Sequence, residues 1–245
     1  MTLGENTLLS SIEGGQNARI ENGKRARSLG AALRDGRREA IQWQLLRFPF
    51  RLSGQGFFPG GEGLWRNDAQ LAAASPGVVS VGGIMFLGND FGTCAGYEKH
   101  RVRGFENPLT WRHVKRRVDR AGLPTALTFF TNAVMGLRES GTALAKKDWD
   151  GEPKFKSFCG EFLGFQAETL KPQLVVVMGT GPRSTLDSLA TATTIAPGRY
   201  PKIRIGRHTT TVFFSTHPYG DFNFDDARKS KDASELREAW DLAHS

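Results

Sequence analysis

A chain of 245 residues and 27.0 kDa, 39% hydrophobic and 24% charged, has ordinary globular composition. No window reaches the roughly 18 to 20 consecutive apolar residues of a membrane span, and the opening MTLGENTLLSSIEGG lacks a basic-then-apolar secretion signal, so a soluble, cytoplasmic protein is expected. Two cysteines, Cys94 and Cys159, are too few for a four-thiolate metal or cluster site, and a net charge of +8 favours a polyanionic partner.

In chain order, residues 1–75 read as a helical and loop extension packed on a main domain of residues 76–245. Within it, 29–46 fits one or two helices and 53–64 is a glycine-rich covering loop; whether it is a separate module is left open. Four short apolar runs follow: 78–87 (VVSVGGIMFL), 126–131 (ALTFFT), 174–178 (LVVVM) and 210–215 (TTVFFS). Each is rich in β-branched or aromatic residues and bounded by Gly, Asn or Pro, which predicts buried strands. Continuous rather than alternating apolarity is what strands covered on both faces show, so the sheet is expected to be mostly parallel and four-stranded.

The intervals predict the covering helices. Residues 108–121 begin with proline and carry Trp111, Val114, Val118 and Ala121 on one stripe, with Arg112, Arg116 and Arg120 on another and Lys115 and Arg117 nearby. Phe155, Phe158, Cys159, Phe162 and Phe165 mark a second helix ended by Lys171–Pro172. A short helix is expected over 182–190. A basic loop or hairpin runs through Arg199, Lys202, Arg204 and Arg207, and a polar helix covers 225–243. The predicted fold is α/β, a three-layer α/β/α domain.

Ligands of open parallel sheets collect beyond the carboxyl ends of the strands. Those ends carry Gly88–Asn89–Asp90–Phe91, Asn132, Gly179–Thr180–Gly181–Pro182 and His217–Pro218–Tyr219. A carboxylate, a carboxamide, a glycine turn and an imidazole are therefore expected at one rim.

In this order, Gly88–Asn89–Asp90, Phe130–Thr131–Asn132–Ala133–Val134 and His217–Pro218–Tyr219 resemble the G-x-D or G-x-N turn, the L-x-N-A-V-like segment and the terminal H-P-S or H-P-A motif of the uracil-DNA glycosylase superfamily. Residues 158–181, in which Leu170–Lys171–Pro172 runs into LVVVMGTG, are similar to the family's helix and third strand. The resemblance covers residues 81–220.

It implies a hydrolase of the N-glycosidic bond of a flipped uracil or related deaminated base in DNA, acting as a monomer without metal or organic cofactor and releasing the free base. Asp90 would hold a water and face the sugar cation, and His217 would stabilise the departing base. Asn132 would pair with the base edge, since one carboxamide offers a donor and an acceptor together. Gly88, Asn89 and Phe91 would line the base site. A flipped base needs an apolar wall, for which Phe105 and Phe91 are rival positions. Gly179, Thr180, Gly181, Pro218, Tyr219, Arg116 and Arg120 would touch DNA, with Tyr219, Phe222 or Phe224 as the wedge.

Two departures stand out: the family usually has proline after the catalytic Asp or Asn, where Phe91 stands, and Ser or Ala after His-Pro, where Tyr219 stands. The missing cysteine quartet argues against the cluster-containing branch. Local readings compete at each position: Asp90 as a turn cap, Asn132 as a turn residue, His217 as a packed histidine. Residues 99–120 and 24–51 each hold eight Lys or Arg against two acids, a pattern of solvated faces as well as of DNA contact. A glycosylase-like protein that binds nucleic acid without turnover is the alternative reading.

Overall fold

The computed structural model describes residues 46–47, 81–93, 95–96, 99, 109–138, 153–188, 192–218 and 225–245. Its elements are β1 (Leu46–Arg47), β2 (Ile84–Gly88), α1 (Leu109–Arg120), β3 (Thr128–Asn132), β4 (Leu137–Arg138), α2 (Pro153–Leu170), β5 (Leu174–Met178), α3 (Thr180–Ser188), β6 (Ala192–Ala196), β7 (Lys202–Ile205), β8 (His208–Ser215) and α4 (Asp226–His244).

The protein has an α/β fold built on a six-stranded sheet in the order β3-β2-β5-β8-β7-β6. The four strands β3, β2, β5 and β8 are mutually parallel, and they are the four apolar runs of the sequence. The expected count of four is corrected to six because β7, in the basic segment before β8, and β6, which precedes that segment, extend the sheet as two antiparallel strands. Its alternation of Lys202 and Arg204, exposed, with Ile203 and Ile205, buried, is the period-2 pattern of a strand covered on one face only. Residues 46–47 of the amino-terminal segment pair antiparallel with residues 137–138. Among the described residues, no helix is long and apolar enough to cross a membrane.

Successive strand residues alternate between two core clusters. Met85, Leu87, Phe129, Val175, Val177 and Val212 pack with Phe155, Cys159, Phe162 and Leu163 of α2 and Leu186 of α3. Ile84, Phe86, Phe130, Leu174, Val176, Met178 and Phe213 pack with Val114 and Val118 of α1 and Ala233, Leu236, Ala239 and Trp240 of α4. The phenylalanine stripe of α2 runs as the sequence suggests, with neighbouring rings 5.8–6.4 Å apart. Asp225 caps α4 by accepting a hydrogen bond from the Arg228 amide, which is why that polar helix starts where it does.

The element ends differ from the sequence reading in ways that bear on the rim. Asn132 is the last residue of β3 rather than a turn residue after it, and Thr180 and Gly181 open α3 rather than preceding it. β2 begins at Ile84, after Gly82, whose φ of 71° breaks the extended run and whose amide donates to the Leu170 carbonyl.

Candidate active site

The chain passes from β2 outward to β3 and then returns to the other side of β2 for β5 and β8. The reversal puts the switch point of the sheet at the carboxyl ends of β2 and β5, the place where open α/β sheets bind ligands. The turn after β2 and the turn after β5 meet there. A Cβ added at Gly181 would stand 3.3 Å from Cγ of Asn89, and one at Gly179 would stand 3.0 Å from Cβ of His217. The β5–α3 turn thus lies between Asn89 and His217 and touches both; Gly179 also has a φ of 92°, a conformation open to glycine.

The Asp90 carboxylate is held by its own turn. The Gly92 amide donates to Oδ1 at 2.7 Å and the Asn89 side chain donates to Oδ2 at 3.0 Å. The local reading of Asp90 as a turn former is therefore realised, and the same two bonds fix the orientation of a half-buried carboxylate at the switch point. The turn is tied to β3 as well, since the amides of Ala133 and Val134 donate to the carbonyls of Gly88 and Asn89 at 2.9 and 2.8 Å.

Asn132 and Gly88 are register partners, one rung beyond the stacked pair Phe86–Phe130, whose ring centroids are 5.2 Å apart. Alternation places the Asn132 side chain on the face of that pair. It is 0% exposed, and neither Oδ1 nor Nδ2 has a hydrogen-bond partner. Leaving a buried donor or acceptor unmade costs roughly 1–3 kcal/mol per group. Gly88, opposite it, adds no side chain to occupy the flank. Continuing across the sheet, Met178 stands in register with Ser215, so Asn132, Gly88, Met178 and Ser215 form one rung on one face. Strand spacings of about 4.8 Å make that rung about 14 Å long.

His217 follows β8 by two residues and its side chain is exposed; Pro218 is buried. Phe91 is half-buried and packs against the cluster under α2. Thr180 and Gly181 are exposed at the start of α3, where Arg183 lies 4.4 Å over the Phe214 ring. Arg116 is exposed, and Arg120, also exposed, stands 3.7 Å from Asp226. Phe105, Tyr219, Phe222 and Phe224 lie outside the described residues.

A group that the sequence reading passed over sits behind the rim. Arg117 was placed with the basic face of its helix, yet it is only 6% exposed. It donates to Ser215 Oγ, to the Thr216 carbonyl at 3.1 Å and to Thr216 Oγ1 at 3.2 Å, and stands 3.6 Å from Asp232 of α4. Thr216 Oγ1 in turn donates to Asp232 Oδ2 at 2.9 Å. Helical spacing carries the signal that was missed: Arg117, three residues after Val114 and four before Ala121, falls on the buried stripe of α1, whereas Arg116 falls outside it.

Cys159 is fully buried under β3, accepts a hydrogen bond from the Met135 amide at 3.4 Å, and burial pushes its thiol up to about 12, so it is a packing residue and not a nucleophile. Among the described residues, no group of three or more His, Cys, Asp or Glu side chains is placed to hold a metal ion. Neither a protein-family model nor a curated protein matches the chain.

Proposed function

We propose that the protein is a DNA glycosylase of the uracil-DNA glycosylase kind, with a three-layer domain that hydrolyses the N-glycosidic bond of a flipped uracil or related deaminated base. The observation that carries this reading is the Asn132 carboxamide, wholly buried and with both polar atoms unpaired. A carboxamide kept at that expense suits a ligand edge that presents an acceptor and a donor side by side, as uracil does with O4 and N3–H; cytosine presents the same two kinds of group in the opposite order, so an amide held in one orientation accepts uracil alone.

The neighbouring groups supply the rest of the chemistry. Departure of the base leaves an oxocarbenium-like sugar, which a fixed carboxylate stabilises while orienting a water on the opposite side. Asp90, held by Asn89 and Gly92, is that carboxylate. The base leaves with negative charge on a carbonyl oxygen, and His217 is the donor that meets it. The exposed start of α3, with Thr180 and Gly181, suits a DNA phosphate next to the flipped nucleotide. The product is free base and an abasic site in DNA, as in base-excision repair.

The test is release of free uracil from a single uracil-containing oligonucleotide, alone and in duplex, compared with hypoxanthine, xanthine and mismatched thymine. Uracil released by the wild-type chain and not by Asp90→Asn supports the reading; no release of any base over hours removes it. The exposed His217 imidazole favours one second reading, a protein of the same fold that binds DNA without turnover. Salt-sensitive DNA binding without base release selects it.

A further inference from the structure

We propose that the open face of the β6–β7 hairpin is a second contact for nucleic acid, one that holds the phosphate backbone away from the rim and without regard to base sequence. It goes beyond the glycosylase reading and does not depend on it.

The segment before β8 carries four basic side chains, and the fold treats them differently. Arg199 is paired with Glu235 and Glu238 of α4, and Arg207 with Glu168 of α2. Lys202 and Arg204 lie between them on β7, both exposed, and among the described residues neither has an ion pair or a side-chain hydrogen bond. Acids of α2 and α4 thus neutralise the two ends of the segment and leave its middle charged. The surrounding sequence offers nothing to offset that charge, since residues 188–220 contain no Asp or Glu.

The register decides where the charge points. Ile203 and Ile205 are buried in the cluster under α2, so alternation puts Lys202 and Arg204 on the opposite face. Arg204 stands opposite Thr209 of β8 on one side and Thr193 of β6 on the other, and all three are exposed. One rung therefore offers a guanidinium between two hydroxyls, and Lys202 follows about 7 Å along the strand. β6, the edge of the sheet, is exposed from Thr193 to Ala196, so this part of the sheet has no covering layer.

A flat strip of cations and hydroxyls suits phosphate oxygens, which accept from all of these groups. Its position favours a polymer. Along β8 the strip lies about 20 Å from the strand's end at Ser215, and about six nucleotide steps of a duplex span that distance. DNA also presents an unbroken row of phosphates, which engages such a strip in any register, whereas an acidic protein has to match it at fixed points.

The test is binding of an undamaged duplex of about 30 base pairs to the full chain, followed against salt. Replacing both cations, Lys202→Gln with Arg204→Gln, is expected to lower the slope of log binding constant against log salt by about two, and either change alone by about one. Lys171→Gln makes the same change of charge at an exposed position just after α2 and is expected to leave the slope as in the wild type. Lys202 and Arg204 are exposed, so their variants keep the fold. An unchanged slope in the double variant overturns the inference, and so does a loss in Lys171→Gln equal to that of either single variant, which would trace the effect to net charge. Polyglutamate tests the other occupant: if the wild type binds it more tightly than DNA and the double variant loses that binding, the face belongs to an acidic protein and the inference fails. Undamaged DNA requires no base release, so failure of the glycosylase reading leaves this result legible by itself.

Discussion

Gly179 lies against His217 so closely that a Cβ at position 179 would meet the His217 Cβ at 3.0 Å and its Cδ2 at 3.4 Å. With a φ of 92° at the same residue, Gly179→Ala presses on the imidazole and strains the turn together. The expected outcome is a loss of about 1–3 kcal/mol in chemical denaturation and a base-release rate lowered at least about tenfold. A variant as stable and as active as the wild type would show that the turn does not seat His217.

Asn132 offers a separation of stability from binding. Replacing an unpaired buried carboxamide by an apolar group of like size removes an unmet desolvation cost, so Asn132→Leu is expected to be as stable as the wild type or more stable by about 1–3 kcal/mol. If the site takes uracil as proposed, free uracil raises the melting temperature of the wild type and not that of Asn132→Leu. Gln166 on α2 is the control, since its side-chain oxygen and nitrogen are also buried without partners. Gln166→Met is expected to stabilise the chain and leave base release unchanged. Destabilisation by Asn132→Leu would mean that the carboxamide is structural.

Asp90→Asn keeps an oxygen to accept the Gly92 amide and removes the charge. Folding persists, and release of uracil in single turnover falls at least about 10²-fold, as expected when a pre-aligned catalytic group is removed. Equal rates would take Asp90 out of the chemistry.

Arg116 and Arg120 are distinguishable by their surroundings. Arg120 stands 3.7 Å from Asp226, whereas Arg116 is exposed on the same helix. If α1 faces DNA, Arg116→Ala lowers the slope of log binding constant against log salt by about one. Arg120→Ala lowers it by less, because part of its charge is engaged already. Unchanged slopes in both variants would move the DNA to another face.

Glu168 links α2 to the turn between β7 and β8, accepting from the Arg207 side chain at 2.6 and 2.9 Å and from its backbone amide at 2.9 Å. The Arg207 guanidinium, with the amide, holds the Glu168 carboxyl below the usual carboxylate range. A carboxyl with its folded value depressed stabilises the fold above its unfolded value and loses that contribution as pH falls through the folded one. Urea midpoints followed from neutral into acid pH are therefore expected to fall more steeply for the wild type than for Glu168→Gln. Parallel profiles would show that the pair, which is largely exposed, is screened by solvent.

The four parallel strands were legible because each contains a run of apolar or β-branched residues without period-2 alternation, a pattern that demands cover on both faces. Residues 174–178 match the observed strand end for end, and the helix stripes of Val114 with Val118 and of Phe155 with Phe162 point inward as their spacing requires. Of the two antiparallel strands β7 alternates with period 2, whereas β6 was less legible because Thr193, Thr194, Ile195 and Ala196 are all exposed, so no buried face imprints a period on it.

Local sequence determined which residues end the strands: a glycine turn with Asp90, a carboxamide at 132, glycines at 179 and 181, and a histidine at 217. Only tertiary structure decided what those residues are worth to one another. Strand order put β5 between the Asp90 and His217 loops, packing left Asn132 buried without a partner, and α4 and the end of β8 gave Arg117, already on the inward stripe of its helix, its partners Asp232 and Thr216. The physical reason is that a residue's type follows from its own chemistry, whereas burial and pairing depend on elements distant in the chain, whose approach no local period encodes.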